Sequence, residues 1–234
     1  MILKNKKVVI FDLDDTLYYE INFLKSAYLE ISDFIANSIN TDKTIVFNDM
    51  LMFYQSKENC FEKIIEKYDL PIAISDLLHL YRNHKPNLIL SSDRLQVLNY
   101  LKQANIPMGI LTDGRSVQQR NKIKALGIEN YFDKIVVSEE IGTEKPHINN
   151  FKTFETTFGN GQYYYIGDNI KKDFITPNKL KWTTICLKDI GLNVHNQNAK
   201  LLTDNMYMAK YTVDEFPEII QLLICAKIGF VLEK

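Results

Sequence analysis

Apolar positions along the chain occur in two patterns. Short runs that are apolar throughout, each followed by polar residues, occupy positions 8–11, 108–111, 135–137 and 163–166. Such runs are typical of strands that are buried on both faces of a sheet. Helical spacing lies between the later runs, at 117–126 ended by Gly127 and at 148–158 ended by Gly159. Strands that alternate with helices predict a parallel sheet with crossover connections.

The second pattern lies between the first run and the others. Apolar residues recur there at gaps of three and four, at Ile21, Leu24, Tyr28, Ile31 and Ile35, and again at 61–68 and 74–81. This spacing is typical of amphipathic helices. We therefore expect a helical domain at 18–88, inserted into an α/β core made of 1–17 and 89–234.

The last third of the chain predicts three further elements. Residues 183–187 and about 206–211 are expected to be strands, and 216–228 a helix. The apolar stretch at 219–232 is too short for the roughly 20 residues that span a bilayer. We therefore expect no membrane partner.

Charge and cysteine content restrict the class of protein. With 28 Lys+Arg against 29 Asp+Glu, the net charge of −1 disfavours a partner that is a nucleic acid polymer. Cys60, Cys186 and Cys225 form no CxxC pair and are odd in number, which favours reduced, buried thiols. The N-terminus has too short an apolar run for a signal peptide. These features predict a cytoplasmic protein, and they leave its oligomeric state open.

Acidic residues directly follow the first predicted strand. Asp12 and Asp14 would lie on the same side of an extended backbone. Two neighbouring carboxylates repel unless a cation or a shared proton relieves them, so the pair suits a divalent metal site with a nucleophile and a proton-transfer group. A polar strand end with a capped turn is the alternative, and this motif alone does not separate the two.

Polar residues also follow the later strands. Thr112 ends the second run and precedes Asp113 and Gly114, where a phosphate or a helix cap would fit. Lys145 lies in a loop after the third run, and Asp168 follows the fourth, with Asp173 five residues later. Ligands of such sheets bind at the carboxyl ends of the strands. The ordered set therefore predicts one site holding a nucleophile, a hydroxyl donor, a cation and a metal ligand.

At these four motifs the sequence resembles the haloacid dehalogenase-like (HAD) hydrolase superfamily. The motifs are DLDDT at 12–16, the hydrophobic-Thr motif ending at Thr112, Lys145 of EKP, and GD-x4-D at 167–173. The resemblance implies an α/β fold: a Rossmann-like three-layer parallel-sheet core with an inserted α-helical cap domain of the C1 type. A cap of this kind is expected to cover the site and to select the substrate.

The resemblance also implies a role for each site residue. Asp12 would be the nucleophile that becomes an aspartyl-phosphate, and Asp14 the general acid and base. Mg²⁺ would be held by Asp12, Asp168 and the backbone carbonyl of Asp14. The other roles carried over are phosphate binding by Thr112, Asp113, Gly114 and Lys145, charge compensation by Lys145, and support by Asp173. Asp15 stands where many relatives carry Gly, and no catalytic role is assigned to it.

The activity expected from this resemblance is Mg²⁺-dependent hydrolysis of a small phosphomonoester, with a sugar phosphate ranked before a nucleotide. A phosphomutase or a haloacid dehalogenase of the same fold is the alternative, and a non-catalytic binding module is a more distant one. Dehalogenases need neither the metal nor the second acid, so Asp14, Asp168 and Asp173 favour phosphate substrates. Three residues keep open roles: Arg115 could bind a second anionic group or be exposed, and Tyr18 and Tyr19 could line the pocket or pack.

Overall fold

The computed structural model describes residues 6–195, 197 and 205–225, and the chain divides into two compact units. The α/β unit contains the described residues up to 20, residues 90–116 and those from 127 onward. The helical unit contains residues 21–89 and 117–126. The helical unit thus contains residues 117–126 in addition to most of the segment 18–88 that the sequence pattern predicted.

The α/β unit is built on a six-stranded parallel sheet. Its strands are β1 (Lys7–Phe11), β2 (Met108–Thr112), β3 (Lys134–Val137), β4 (Gln162–Gly167), β5 (Thr183–Leu187) and β6 (Tyr211–Val213), in the spatial order β3-β2-β1-β4-β5-β6. Val9 is paired with Met108 on one side and with Tyr164 on the other, so β1 lies in the interior of the sheet. All five strands that the apolar runs at 8–11, 108–111, 135–137, 163–166 and 183–187 predict are present, and the expected Rossmann-like α/β class is confirmed.

The strand predicted at about 206–211 is wrong for most of its length. Residues Asn205–Tyr207 form a short 3-10 helix, and β6 begins only at Tyr211. The carbonyls of Met206 and Met208 accept hydrogen bonds from the side-chain amide of Asn178, at 3.0 and 2.9 Å. The Asn178 side chain therefore binds backbone carbonyls that would pair with a neighbouring strand if residues 206–208 formed a strand. The hydrophobic pattern of the sequence does not indicate this contact.

Helices of the α/β unit connect and cover the strands. They are α5 (Ser92–Gln103), α7 (Ser138–Ile141), α8 (Ile148–Phe158), α9 (Ile175–Lys179) and α10 (Glu218–Cys225). The predicted helix at 148–158 is confirmed, and its Phe151 and Phe154 are buried in one cluster with Val8 and Ile10 of β1. The predicted C-terminal helix is present from 218 to 225, and residues 226–228 lie outside the described part of the chain.

The helical unit contains α1 (Glu20–Ile39) from its second residue, α2 (Lys43–Gln55), α3 (Cys60–Tyr68), α4 (Ile74–Asn83) and most of α6 (Ser116–Ala125). Leu24, Tyr28, Ile31 and Ile35 are buried and Ile21 is half-buried, as their helical spacing predicts. They pack with residues of α2, α3 and α4 into a core that belongs to this unit alone. Burial of the apolar face, rather than intrinsic helix propensity, is what stabilises such helices.

Two of the three cysteines have side chains in the described part of the chain. Cys60 and Cys186 are free thiols in buried positions, and the side chain of Cys225 lies outside the described part. Within the described residues, each helix is too short or too polar to cross a membrane.

Candidate active site

Three neighbouring strands bring the sequence-predicted residues to one edge of the sheet. Thr112 is the last residue of β2, Asp12 follows β1, and Asp168 follows β4. Because β2, β1 and β4 are adjacent and parallel, their carboxyl ends lie side by side. The Asp12 amide donates to the carbonyl of Ile166 at 2.8 Å, which continues the pairing of β1 with β4 into the site.

A buried ion-pair network joins Lys145 to two aspartates. The ammonium of Lys145 lies 2.8 Å from Oδ1 of Asp12 and 2.7 Å from Oδ1 of Asp173. All three side chains are at most 9% exposed. Lys145 is therefore buried, and its positive charge compensates the negative charge of Asp12.

Asp173 reaches this network because Gly167 has no side chain. A Cβ at Gly167 would lie 2.4 Å from Oδ2 of Asp173, closer than any real contact. That same Oδ2 accepts a hydrogen bond of 2.9 Å from the Asn169 amide, which fixes the carboxylate. The glycine of the GD-x4-D motif thus makes room for the aspartate that ends it.

A loop after β5 contributes residues that the sequence motifs did not indicate. Asn193 donates from Nδ2 to Oδ2 of Asp168 at 2.9 Å, and Gln197 donates from Nε2 to the Asp168 carbonyl at 2.9 Å. The carboxylate of Asp189 accepts from the amides of residues 191–193, which shapes the loop. The only signal in the sequence was a polar, Gly-containing stretch directly after a strand.

Burial and mutual repulsion raise the pKa values of two aspartates at the site, Asp12 and Asp168. Burial raises the pKa of Asp12 from 3.8 to about 7, with Asp173 adding to the effect and Lys145 opposing it. Burial likewise raises the pKa of Asp168 to about 9, and the charges of Asp173 and Asp12 add to it. Although burial opposes its charged form, Lys145 has a pKa held well above 10.5 by Asp12 and Asp173. One lysine therefore compensates only part of the negative charge that these residues carry when ionised.

The donor set fits a hard divalent metal ion. Carboxylate oxygens of Asp12, Asp168 and Asp173 lie within 4.8 Å of one another, and all three residues are buried. Oxygen ligands of this kind are preferred by Mg²⁺ and Ca²⁺. The cluster includes Asp173, which the sequence assigned a supporting role, and not the side chain of Asp14, for which only a backbone carbonyl contact was predicted.

Asp14 lies two residues after Asp12 and is half-buried. Its Oδ1 accepts a hydrogen bond from the hydroxyl of Tyr18. Tyr18 is itself buried, so one of the tyrosines with an open role binds a predicted catalytic side chain. An acid that is less buried than Asp12 retains access for proton exchange.

The loop after β2 is tied to the rest of the site by Asp113. Its Oδ1 accepts from the Lys145 amide at 3.0 Å, and its Oδ2 accepts from the Lys172 ammonium at 2.6 Å. The Gly114 amide donates to the Ser138 hydroxyl at 2.9 Å, while Thr112 is fully buried at the end of β2. Contacts of Thr112, Asp113 and Gly114 with phosphate stay predictions, and Asp113 has a structural role in addition.

The backbone conformation and the hydrogen bonds of Asp15 account for an aspartate at this position of the motif. Its φ is 54°, in the left-handed region that Gly adopts readily and Asp tolerates. Its carboxylate accepts from the amides of Glu20 at 2.8 Å and Val194 at 2.7 Å. Asp15 thus connects the first motif to the loop that carries Asn193.

Two residues with open roles have partners in the α/β unit. Arg115 is exposed and forms an ion pair with Glu139 at 2.7 Å, which favours the exposed alternative. The Tyr19 ring lies 5.2 Å from the guanidinium of Arg94, which also lies 5.0 Å from the Phe216 ring. Tyr19 therefore packs on a buried arginine.

The fold and the site together define an α/β protein with a lysine and three aspartates buried at the carboxyl edge of a parallel sheet. Residues 9–187 match the haloacid dehalogenase-like hydrolases, and the chain belongs to that family.

Relatives with known names narrow the class of activity. The chain is 28% identical over 229 residues to the glyceraldehyde 3-phosphate phosphatase of Methanocaldococcus jannaschii. The aligned region covers 93% of this chain and 96% of the relative. The chain is 24% identical over 232 residues to the phosphatase of the same name from Pyrococcus furiosus, covering 94% of each. These relatives confirm the predicted class of enzyme, a phosphoric monoester hydrolase.

Solved structures share the fold. The HAD-hydrolase YfnB from Bacillus subtilis, in a crystal structure bound to magnesium, aligns with a TM-score of 0.63 at 18% identity and covers 94% of this chain and 100% of that one. A likeness at this identity shows that the fold is common to both proteins.

Proposed function

We propose that the protein is a Mg²⁺-dependent phosphatase that hydrolyses a small-molecule phosphomonoester through a phosphorylated Asp12. The single observation that carries this proposal is the buried contact of Lys145 with Asp12 at the end of β1, 2.8 Å long. A lysine in that place keeps a buried carboxylate available as a nucleophile and compensates the charge of an arriving phosphate.

The reaction has two steps on residues of this chain. In the first, an oxygen of Asp12 attacks phosphorus, the bond from phosphorus to the ester oxygen breaks, and Asp14 gives its proton to the leaving oxygen. In the second, Asp14 takes a proton from water, whose oxygen attacks phosphorus and breaks the bond to Asp12. Inorganic phosphate leaves, and both aspartates return to their first state.

The carboxylates of Asp12 and Asp168, with the Asp14 carbonyl, are the proposed ligands of Mg²⁺. A bound divalent cation would supply positive charge to the phosphoryl oxygens and offset the repulsion among the aspartates. Support comes from the pKa values of Asp12 and Asp168, which burial and mutual repulsion raise. Asn193 helps to orient Asp168 by occupying its Oδ2.

A small sugar phosphate is the proposed substrate. The relatives that match over nearly the whole chain are named for glyceraldehyde 3-phosphate, a triose phosphate. The net charge of −1 gives no attraction to a nucleic acid polymer. We further propose that residues 18–88 form the cap domain and select the substrate.

A phosphate-release screen tests this proposal. Triose, pentose and hexose phosphates are compared with nucleoside monophosphates at equal concentration and in Mg²⁺. Glyceraldehyde 3-phosphate or a related sugar phosphate is expected to give the largest kcat/KM. A preference for nucleotides would contradict the substrate class, and absence of phosphate release from every compound would contradict the phosphatase itself.

A further inference from the structure

We propose that Tyr165 is a positioning residue for the reaction: its hydroxyl holds the Lys145 ammonium in place between Asp12 and Asp173. The inference rests on the proposed function, because its kinetic consequence concerns phosphoryl transfer to Asp12. Its structural part, the restraint of Lys145, does not depend on that function.

The hydrogen-bond geometry gives the lysine three partners. An ammonium has three N–H donors and no acceptor. Besides the two carboxylates, Nζ of Lys145 lies 3.2 Å from the hydroxyl of Tyr165. That hydroxyl in turn lies 3.4 Å from Oδ1 of Asp173, so it accepts from the lysine while its own proton faces a carboxylate. The lysine side chain is only 1% exposed, so water has little access to take the place of a lost partner.

The two side chains differ in rigidity. Lysine carries its charge on a flexible four-carbon stem, whereas tyrosine has a rigid ring. The Tyr165 ring is fully buried and packs edge-on against Phe151 with 5.4 Å between the ring centroids. Its backbone pairs with Ile10 of β1 and Thr184 of β5. The sheet therefore fixes the hydroxyl, and the hydroxyl restrains the lysine.

Tyr165→Phe removes the hydroxyl and leaves the ring in its packing. The ammonium then keeps two carboxylates but loses the partner that limits its movement between them. Because Lys145 contacts the attacking carboxylate of Asp12, we expect a slower chemical step rather than weaker substrate binding. The expected loss in kcat is roughly tenfold, the size of one hydrogen bond in a buried site, with KM changed by less than about twofold.

The same strand provides a matched control. Tyr163 is two residues earlier on β4 and is buried in the same core cluster, where its ring stacks on Trp182 at 4.6 Å. Its hydroxyl donates to the carbonyl of Gly159 at 2.6 Å and lies 3.4 Å from the carbonyl of Phe154, and neither residue belongs to the Lys145 network. Tyr163→Phe therefore removes a tyrosine hydroxyl from the same strand and core cluster whose partners are backbone carbonyls.

Two measurements on the full chain test the inference. The first is kcat and KM for an aryl phosphate in Mg²⁺, with the melting temperature of each variant. The second uses ¹⁵N-lysine-labelled protein and follows hydrogen exchange of the Lys145 ammonium by NMR. The signal is assigned by its absence in Lys145→Met or, if that variant does not fold, by its proximity to the Tyr165 ring protons.

Tyr165→Phe is expected to lower kcat and to speed ammonium exchange, while Tyr163→Phe lowers the melting temperature and changes neither. Equal loss of kcat in both variants, or unchanged exchange in Tyr165→Phe, would overturn the positioning role. If the wild-type protein released no phosphate from any ester, the proposed function would fail, and the exchange measurement would still decide whether Tyr165 restrains Lys145.

Discussion

At the scale of single residues, the two acids proposed to react, Asp12 and Asp14, lie in different environments. Asp12 is buried against Lys145, whereas Asp14, two positions later, is half-buried and bound by Tyr18. The difference in environment matches the two roles proposed for these acids, since a nucleophile must be oriented and a proton carrier must exchange protons with its surroundings.

The two acids are expected to respond differently to loss of their charge. Asp12→Asn removes the attacking carboxylate, so neither phosphoenzyme nor turnover should be detected. Asp14→Asn removes the general acid and base, and turnover should fall by about 10²- to 10⁴-fold while some phosphoenzyme still forms. Acid-quenched labelling with a ³²P-substrate measures both. Wild-type turnover in Asp12→Asn would contradict covalent catalysis.

Asp15 lies inside the first motif, and its hydrogen bonds give it a structural role. Asp15→Asn keeps a residue that tolerates the left-handed φ of 54° but leaves one oxygen for the two amides of Glu20 and Val194. We expect a loss of about 1–2 kcal/mol in the free energy of unfolding, with most of the turnover retained. Urea unfolding and a steady-state assay check this. Turnover as low as in Asp14→Asn would show that Asp15 takes part in the chemistry.

At the scale of elements, the apolar runs predicted β1 to β5, including the edge strand β3, whereas the position of the opposite edge strand β6 was wrong. Strands buried on both faces leave an uninterrupted apolar run, which is why β1, β2 and β4 were predicted together with the residues at their ends. The three-residue edge strand β6 has two exposed residues and leaves no such run. The contacts of Asn193 and Gln197 were equally invisible, because they depend on how a loop folds back onto Asp168.

The last residue of β4, Gly167, lies close to the side chain of Asp173, and this contact gives a prediction at the scale of elements. Gly167→Ala would place a methyl group 2.4 Å from Oδ2 of Asp173, so this carboxylate, whose Oδ1 binds Lys145, must shift. We expect turnover to fall by roughly 10²-fold, because small displacements of catalytic groups have effects of that size.

Gly109→Ala is the matched control for that prediction. Its methyl group would lie 2.5 Å from the Phe154 ring, so it also disturbs a strand but contacts only packing residues. Both variants should lose stability by about 1–3 kcal/mol, and only Gly167→Ala should lose most of its turnover. Calorimetry combined with an aryl phosphate assay separates the two effects. Full activity in Gly167→Ala would contradict the role given to Asp173.

At the scale of the whole molecule, chemistry and substrate choice are assigned to different units. The proposed site residues Asp12, Asp14, Lys145 and Asp168 belong to the α/β unit, whereas residues 21–89 and 117–126 form a unit with its own core. The helical content of this insertion was readable from spacings of three and four. The grouping of residues 117–126 with it was not, because that helix follows β2 in sequence as a crossover helix would.

A chimera tests this division of roles. Replacing both segments of the helical unit with those of a family phosphatase of different substrate preference should transfer the ranking of natural substrates. Turnover of a small aryl phosphate should change much less, since its reacting groups stay on the α/β unit. Substrate profiles of the two parents and the chimera provide the comparison. An unchanged ranking in a folded chimera would contradict the assignment of selectivity to this unit.

Asp12 is proposed to act as the nucleophile in the hydrolysis of phosphomonoesters, with the help of a divalent cation. The most direct measurement is phosphate release from glyceraldehyde 3-phosphate by wild type and Asp12→Asn, each in Mg²⁺ and in excess EDTA. Release is expected only from the wild type in Mg²⁺, because Asp12 supplies the proposed attacking carboxylate and the buried carboxylates of Asp12 and Asp168 are proposed to hold the cation. Undiminished release in EDTA, or equal release from Asp12→Asn, would contradict the claim.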